Sequence, residues 1–76
     1  SRDDHKEKAA AERVHRFLAR RAGEWVGLAE VRKSVTVGLR EFLDGATERL
    51  TISGLIEVEE VEHHGQAGRR VRVKAP

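Results

Sequence analysis

The chain has 76 residues and a mass of 8.5 kDa, the size of one small domain, which excludes an enzyme with a cleft between two independently folded lobes. Hydrophobic residues make up 38% of it and charged residues 37%, so the core is small. The lack of cysteine excludes a disulfide scaffold and is typical of a reducing cytoplasm. No apolar stretch approaches the roughly 18 residues of a membrane span. We therefore expect a soluble cytoplasmic protein without a membrane partner.

The net charge of +2 conceals an uneven distribution of charge. Residues 55–62 contain four carboxylates and no Lys or Arg, whereas residues 63–76 contain four basic residues and no carboxylate. The basic residues are Arg69, Arg70, Arg72 and Lys74. Such a basic ribbon is typical of proteins that bind nucleic acid. If the two segments pair as strands, however, Glu57 and Glu59 lie opposite the arginines and neutralise them, so both interpretations stay open.

The first apolar pattern predicts a helix over residues 6–22. Its apolar positions are Ala10, Val14, Phe17 and Leu18. These positions follow the i, i+3, i+4 spacing of an amphipathic helix, and Gly23 suits the C-terminal cap. The charged residues 1–8 are expected to be a solvated lead-in, which leaves residues 9–76 as a single domain.

Two shorter patterns predict a second helix over residues 28–35 and a third over residues 39–53. Residues 36–38 form the turn between them. The third pattern contains Asp44 and Gly45, a turn-like pair that predicts a kink or a break in the helix. Trp25, in a stub of strand before the second helix, is expected to lie in the core.

The end of the chain changes from helical to strand periodicity. Ile56 and Val58 alternate with glutamates, and Val71 and Val73 alternate with basic residues. This alternation predicts a β-hairpin, with residues 63–68 as a six-residue loop between its strands.

This order of elements resembles the winged helix-turn-helix family of DNA-binding domains. The resemblance covers residues 12–74 and depends on the Gly-Glu-Trp-Val segment at 23–26, the two helices joined by a short turn, and the Gly-Leu-Ile entry at 54–56 into a charged hairpin. It implies an α+β fold: a three-helix bundle packed on a two- to three-stranded antiparallel sheet whose hairpin is the wing. In that family the third helix enters the major groove and the wing contacts a neighbouring groove or the backbone.

The resemblance also implies which residues contact DNA. The exposed face of the third helix would consist of Arg40, Glu41, Asp44, Thr47, Glu48 and Thr51. The predicted DNA-binding residues are Lys33, Ser34, Thr36, Arg40, Thr47, His63, His64, Gln66, Arg69 and Arg70. We expect them to bind double-stranded DNA as one module of a larger replication, primase, helicase or regulatory protein.

A second hypothesis is a winged helix that binds a protein partner or forms a homodimer through its first helix. It is favoured by the carboxylates of the third helix, because a carboxylate near phosphate is repulsive unless it accepts from a cytosine amino group. Arg13, Arg16 and Arg20 share one side of the first helix, either as a solvated face or as a contact for phosphate or an acidic partner.

The sequence offers no catalytic machinery, because it has no nucleophile beside a base, no phosphate-binding glycine loop and no paired carboxylates. We expect no enzyme activity and no cofactor. The adjacent His63 and His64 point apart and have no third ligand in their loop, so no metal site is expected.

Overall fold

The computed structural model describes residues 2–74, which form three α-helices and a three-stranded antiparallel sheet. The helices are α1 (Arg2–Ala19), α2 (Leu28–Lys33) and α3 (Leu43–Ile52), and a 3₁₀ helix (Val37–Phe42) leads directly into α3. The strands are β1 (Val26–Gly27), β2 (Ile56–His63) and β3 (Gln66–Val73), in the spatial order β1-β3-β2. The predicted α+β class is confirmed. Across residues 2–74, no helix combines the length and the apolar character that a membrane span requires.

Helix α1 begins at Arg2, so it includes residues that were expected to form a solvated lead-in. Asp3 and Asp4 occupy its first turn, where carboxylates stabilise the helix dipole. Arg49 of α3 donates a hydrogen bond to Asp4 Oδ1 at 2.6 Å and another to Glu7 Oε1 at 3.1 Å. The apolar pattern did not predict this first part of α1, because its residues are polar and have no apolar periodicity. They contact Arg49, which is distant in the sequence.

The Asp4–Arg49 ion pair makes the stability of the domain depend on pH. The hydrogen bond from Arg49, together with its charge, lowers the pKa of Asp4 below the ordinary 3.8. A carboxylate whose pKa is lowered in the folded state contributes stability above its unfolded-state pKa, and this contribution is lost as the pH falls through its folded-state pKa. We expect Asp4→Asn to lower the melting temperature slightly at about pH 7 and to leave it near wild type at about pH 2.

Circular dichroism melts of wild type and Asp4→Asn at the two pH values test this prediction. Asp3→Asn is the matched control, because Asp3 lies in the same helical turn but forms no ion pair within residues 2–74. A deficit of Asp4→Asn that is equally large at the acidic pH would contradict the role given to Arg49.

The third predicted helix has two parts. Its beginning, together with part of the predicted turn, is the 3₁₀ helix Val37–Phe42, and the α-helical part starts at Leu43. A kink or break was predicted at Asp44 and Gly45. The change from 3₁₀ to α-helix lies before these residues instead, and α3 runs through both of them. A Cβ atom at Gly45 would overlap the carboxylate of Glu7, so this glycine leaves room beside α3 for that side chain of α1.

A hydrophobic core joins the helices to the sheet. Its members are Ala10, Ala11, Val14, Leu18, Val26, Val31, Val35, Leu43, Ala46, Leu50, Ile56 and Val71. Trp25 is half-buried and not among them, so its predicted core position is wrong. Successive side chains of an extended segment point to opposite faces, and Val26 takes the inward position here.

The hairpin is longer than the alternation predicted, because pairing continues from Ile56↔Val73 to His63↔Gln66. The six-residue loop predicted at 63–68 is therefore wrong, and only His64 and Gly65 connect the strands. Both have positive φ, 51° and 76°, as in the type I′ turn that closes two-residue hairpins. The outer part of this ribbon is exposed, so it shows no apolar alternation from which its pairing could be read.

Candidate functional site

An open groove lies between α2 and the 3₁₀ helix with the start of α3. Its charged lining residues are Arg32, Arg40, Glu41 and Asp44. Arg40 is half-buried, and its Nε donates a hydrogen bond at 3.2 Å to the carbonyl oxygen of Val35. Among residues 2–74, no carboxylate lies within ion-pair distance of Arg40. Its guanidinium is thus positioned by the backbone and keeps its terminal nitrogens for an external acceptor.

The predicted contacts at the end of α2 differ in what they can donate. Lys33, the last residue of α2, and Thr36, which precedes the 3₁₀ helix, are both exposed. Ser34 is half-buried, and its Oγ donates a hydrogen bond at 2.6 Å to the carbonyl oxygen of Val31. The Ser34 hydroxyl proton is therefore already used within the fold, and this residue is a poor phosphate donor.

Thr47 lies in the core, and its predicted exposed position is wrong. Its side chain is 4% exposed, and its Oγ1 donates a hydrogen bond at 2.8 Å to the carbonyl oxygen of Leu43. The reason is helical spacing: Thr47 follows the buried Leu43 by four residues and precedes the buried Leu50 by three, so all three share one face of α3.

The outer surface of α3 and the 3₁₀ helix is acidic. Its exposed residues include Glu41, Asp44, Glu48 and Thr51, and the Thr51 hydroxyl donates a hydrogen bond to the carbonyl oxygen of Thr47 at 2.8 Å. This surface, which the resemblance places in the major groove, therefore presents three carboxylates to any ligand.

The arginines of β3 are held in ion pairs across the hairpin. Arg70 Nη2 lies 2.6 Å from Glu59 Oε2, its partner in the strand register. Arg72 Nε lies 2.7 Å from Glu57 Oε2, again directly opposite. Of the two interpretations left open for Arg70 and Arg72, these ion pairs support neutralisation across the strands.

Trp25 completes this face of the sheet. The guanidinium carbon of Arg70 lies 4.9 Å from the centroid of the Trp25 ring, and that of Arg72 lies 4.3 Å from it. Each arginine thus contacts both a carboxylate and an aromatic face, two contacts that favour a fixed cation. This arrangement assigns the two arginines a structural role. Arg70 and Arg72 are two residues apart in a strand, and this spacing predicts that they share one face of the sheet. Nothing in the sequence predicts their contact with Trp25, which precedes β1.

The tip of the hairpin and Arg69 are more accessible. His63, His64 and Gln66 are exposed. The two imidazole rings pack edge to face with centroids 4.1 Å apart, so the prediction that these adjacent side chains point apart is wrong. Arg69 Nη2 lies 3.5 Å from Asp44 Oδ1, which links the hairpin to α3. In the described part of the chain, no group of three or more potential ligands could hold a metal ion.

Basic residues that form no ion pair surround the end of α2. Within residues 2–74, the cations of this region without a carboxylate in ion-pair distance include Arg13 and Arg16 of α1, Arg20 directly after α1, Arg32 and Lys33 of α2, and Arg40. Sequence reasoning located the main positive surface on β3. In the structure the arginines of β3 lie opposite acidic residues of β2, so the cations without an ion pair are those near α1 and α2.

Comparison of the chain with protein-family models, with curated proteins and with solved structures gives no match. The class of this protein is thus defined by its own architecture: three helices followed by a hairpin, in an α+β domain with a three-stranded antiparallel sheet.

Proposed function

We propose that this domain is a winged helix-turn-helix module that binds duplex DNA within a larger replication or regulatory protein. The observation that carries the proposal is the basic surface at the end of α2, formed by Arg32, Lys33 and Arg40. In the described chain none of these three has a carboxylate within ion-pair distance. Their charges are available to phosphate, and phosphate contacts supply most of the affinity of non-specific DNA binding.

In this proposal α2 and α3 form the helix-turn-helix, with the 3₁₀ helix completing the turn. Arg32, Lys33 and Arg40 contact phosphates. The exposed Thr36 adds a neutral donor. The carboxylates of α3 limit base readout to cytosine amino groups. We therefore expect weak, strongly salt-dependent binding with little preference for sequence.

The hairpin contributes its tip rather than its paired arginines. His63, His64 and Gln66 are exposed there and serve as polar contacts to the backbone. Arg69 can exchange Asp44 for a phosphate, because their ion pair is long and exposed, a class of pair worth about 0–1 kcal/mol. Arg70 stays with Glu59 and Trp25.

Fluorescence anisotropy with a random-sequence duplex, between about 50 and about 200 mM salt, tests the proposal. We expect wild type to bind with a steep salt dependence, and Arg32→Ala/Lys33→Ala to lower the slope of log K against log salt by about two units, one for each lost phosphate contact. Lys8→Ala/Lys74→Ala is the control, because it removes the same charge from two exposed positions elsewhere. A double variant indistinguishable from this control, or no binding at low salt, would overturn the proposal.

A second candidate function is binding of a protein partner, and the acidic surface of α3 favours it. Ile52 is 78% exposed and follows Glu48 by one helical turn. An apolar residue beside carboxylates fits a partner with a basic rim, or a second copy of the chain. Sedimentation equilibrium of wild type and Ile52→Ser tests the homodimer: we expect a concentration-dependent dimer that the substitution weakens. A wild-type monomer at every concentration would exclude self-association.

A further inference from the structure

We infer a second phosphate-binding site in the groove between α1 and the end of α2, which takes the sugar-phosphate backbone of nucleic acid. The groove is lined by Arg13, Arg16, Phe17, Arg20 and Ser34. It shares no residue with the groove between α2 and α3. The site is thus a separate surface, supplied mainly by α1 rather than by the helix-turn-helix.

The spacing of the three arginines suits a row of phosphates. Arg20 follows the last residue of α1, and its backbone amide donates to the carbonyl oxygen of Arg16 at 3.3 Å, which continues the helical turn. At 100° per residue, positions 13, 16 and 20 then fall within an arc of about 60° and span about 10 Å along the helix axis. One strand of duplex DNA carries a phosphate about every 3.4 Å of its axis, so this length corresponds to about three phosphates. Each guanidinium offers a planar set of donors that matches phosphate oxygens.

The arginines of the groove are uncompensated. In the part of the chain that the structure describes, none of the three lies within ion-pair distance of a carboxylate. Glu12 precedes Arg16 by four residues, a spacing at which such pairs commonly form, yet it forms none here. Arg49, Arg69, Arg70 and Arg72, by contrast, are all ion-paired. The domain thus neutralises the arginines of α3 and the hairpin but leaves those of the groove available.

A fourth cation lies beside the groove, over the ring of Phe17. Phe17 is half-buried and packs against the core, and the guanidinium carbon of Arg21 lies 4.3 Å from the centroid of its ring. A cation held over an aromatic face is attracted by the ring quadrupole, which keeps Arg21 beside the groove. The bond from Ser34 Oγ to Val31 fixes the opposite wall. A ligand in the groove therefore meets the three arginines of its lining, with Arg21 beside them.

A polyanion of regular spacing fits this groove better than a protein surface does. Three arginines and no carboxylate line the groove, and its single apolar residue, Phe17, carries Arg21 on its ring. A row of like charges with so little apolar surface suits a repeating anion, and planar guanidinium groups match phosphate oxygens. The inference rests on the proposed function only in the choice of nucleic acid as the ligand, because it uses neither Arg32, Lys33 nor Arg40.

The test is the anisotropy titration with Arg13→Gln/Arg20→Gln, measured beside wild type and Arg32→Ala/Lys33→Ala. Arg13 and Arg20 are exposed, and glutamine is an uncharged polar residue with a helix propensity close to that of arginine, so the fold is expected to persist and is checked by circular dichroism. We expect weaker duplex binding and a salt slope lower by about two units. Arg2→Gln/Lys8→Gln, which removes the same charge from the other end of α1, is expected to bind like wild type.

The outcomes separate this site from the proposed function. Loss of binding in the groove variant but not in Arg32→Ala/Lys33→Ala would support the groove and overturn the helix-turn-helix proposal. The reverse pattern, or a groove variant equal to Arg2→Gln/Lys8→Gln, would overturn the groove. Poly-L-glutamate is the second probe. If wild type binds it, Arg13→Gln/Arg20→Gln does not, and neither binds the duplex, the ligand of the groove is an acidic polypeptide. That result would overturn the inference.

Discussion

Leu50→Ala is expected to destabilise the domain by about 2–5 kcal/mol, the usual cost of truncating a buried leucine. Leu50 is 4% exposed and belongs to the core. Its carbonyl oxygen also accepts a hydrogen bond at 3.0 Å from the Leu55 backbone amide, across the positive-φ residue Gly54 that ends α3. A marginally stable small domain has about 5 kcal/mol in total, so this variant should be largely unfolded on mild heating.

Urea unfolding followed by circular dichroism measures this loss. Ile52→Ala is the matched control, because Ile52 lies on the same helix but its side chain is 78% exposed. Alanine has high helix propensity, so neither substitution weakens α3 as a helix. We expect the control to change the free energy of unfolding by no more than about 0.5 kcal/mol. Equal stabilities of the two variants would mean that α3 does not pack on the core through Leu50.

Ala10→Leu is expected to destabilise the domain by about 1–3 kcal/mol, through overpacking rather than a cavity. Ala10 is fully buried on α1, and Ala46 is fully buried on α3. Helices α1 and α3 pack against each other, and both alanines belong to the core. The substitution adds three heavy atoms at a fully buried position, and we expect the surrounding core side chains or the helices to shift to make room for them.

The melting temperature of Ala10→Leu, compared with that of Ala19→Leu, measures this cost. Ala19 is exposed at the end of α1, so the same substitution there adds a leucine without crowding the core. We expect Ala19→Leu to melt close to wild type. An Ala10→Leu variant more stable than wild type would reveal unfilled space between α1 and α3.

The two stability tests and the binding tests address different parts of the molecule. Leu50 and Ala10 are buried, whereas the binding variants alter exposed cations at Arg13, Arg20, Arg32 and Lys33. A loss of DNA binding in the latter, with an unchanged melting temperature, can therefore be assigned to the surface and not to unfolding.

Local periodicity in the sequence determined much of the fold. The stripe through Val14 and Leu18 predicted α1, and the alternation at Ile56 and Val71 predicted the hairpin, because each pattern reports which face of an element is buried. The neutralisation of Arg70 and Arg72 could also be foreseen, since paired strands bring acidic and basic residues directly opposite each other.

Features that depend on contacts between distant residues were decided only by the tertiary structure. The start of α1 is joined to Arg49, which lies 42 positions from Glu7, and no pattern within α1 reports that ion pair. Trp25 faces Arg70 and Arg72 because Val26 takes the inward position beside Val71.

The availability of charge was decided in the same way. Composition located positive charge on residues 69–74, but whether an arginine can bind a ligand depends on which carboxylate lies beside it in three dimensions. The arginines of β3 face glutamates across the sheet, whereas those of α1 border a groove without carboxylates. Periodicity encodes the buried face of each element, but the partner of each charge is set only when the elements pack together.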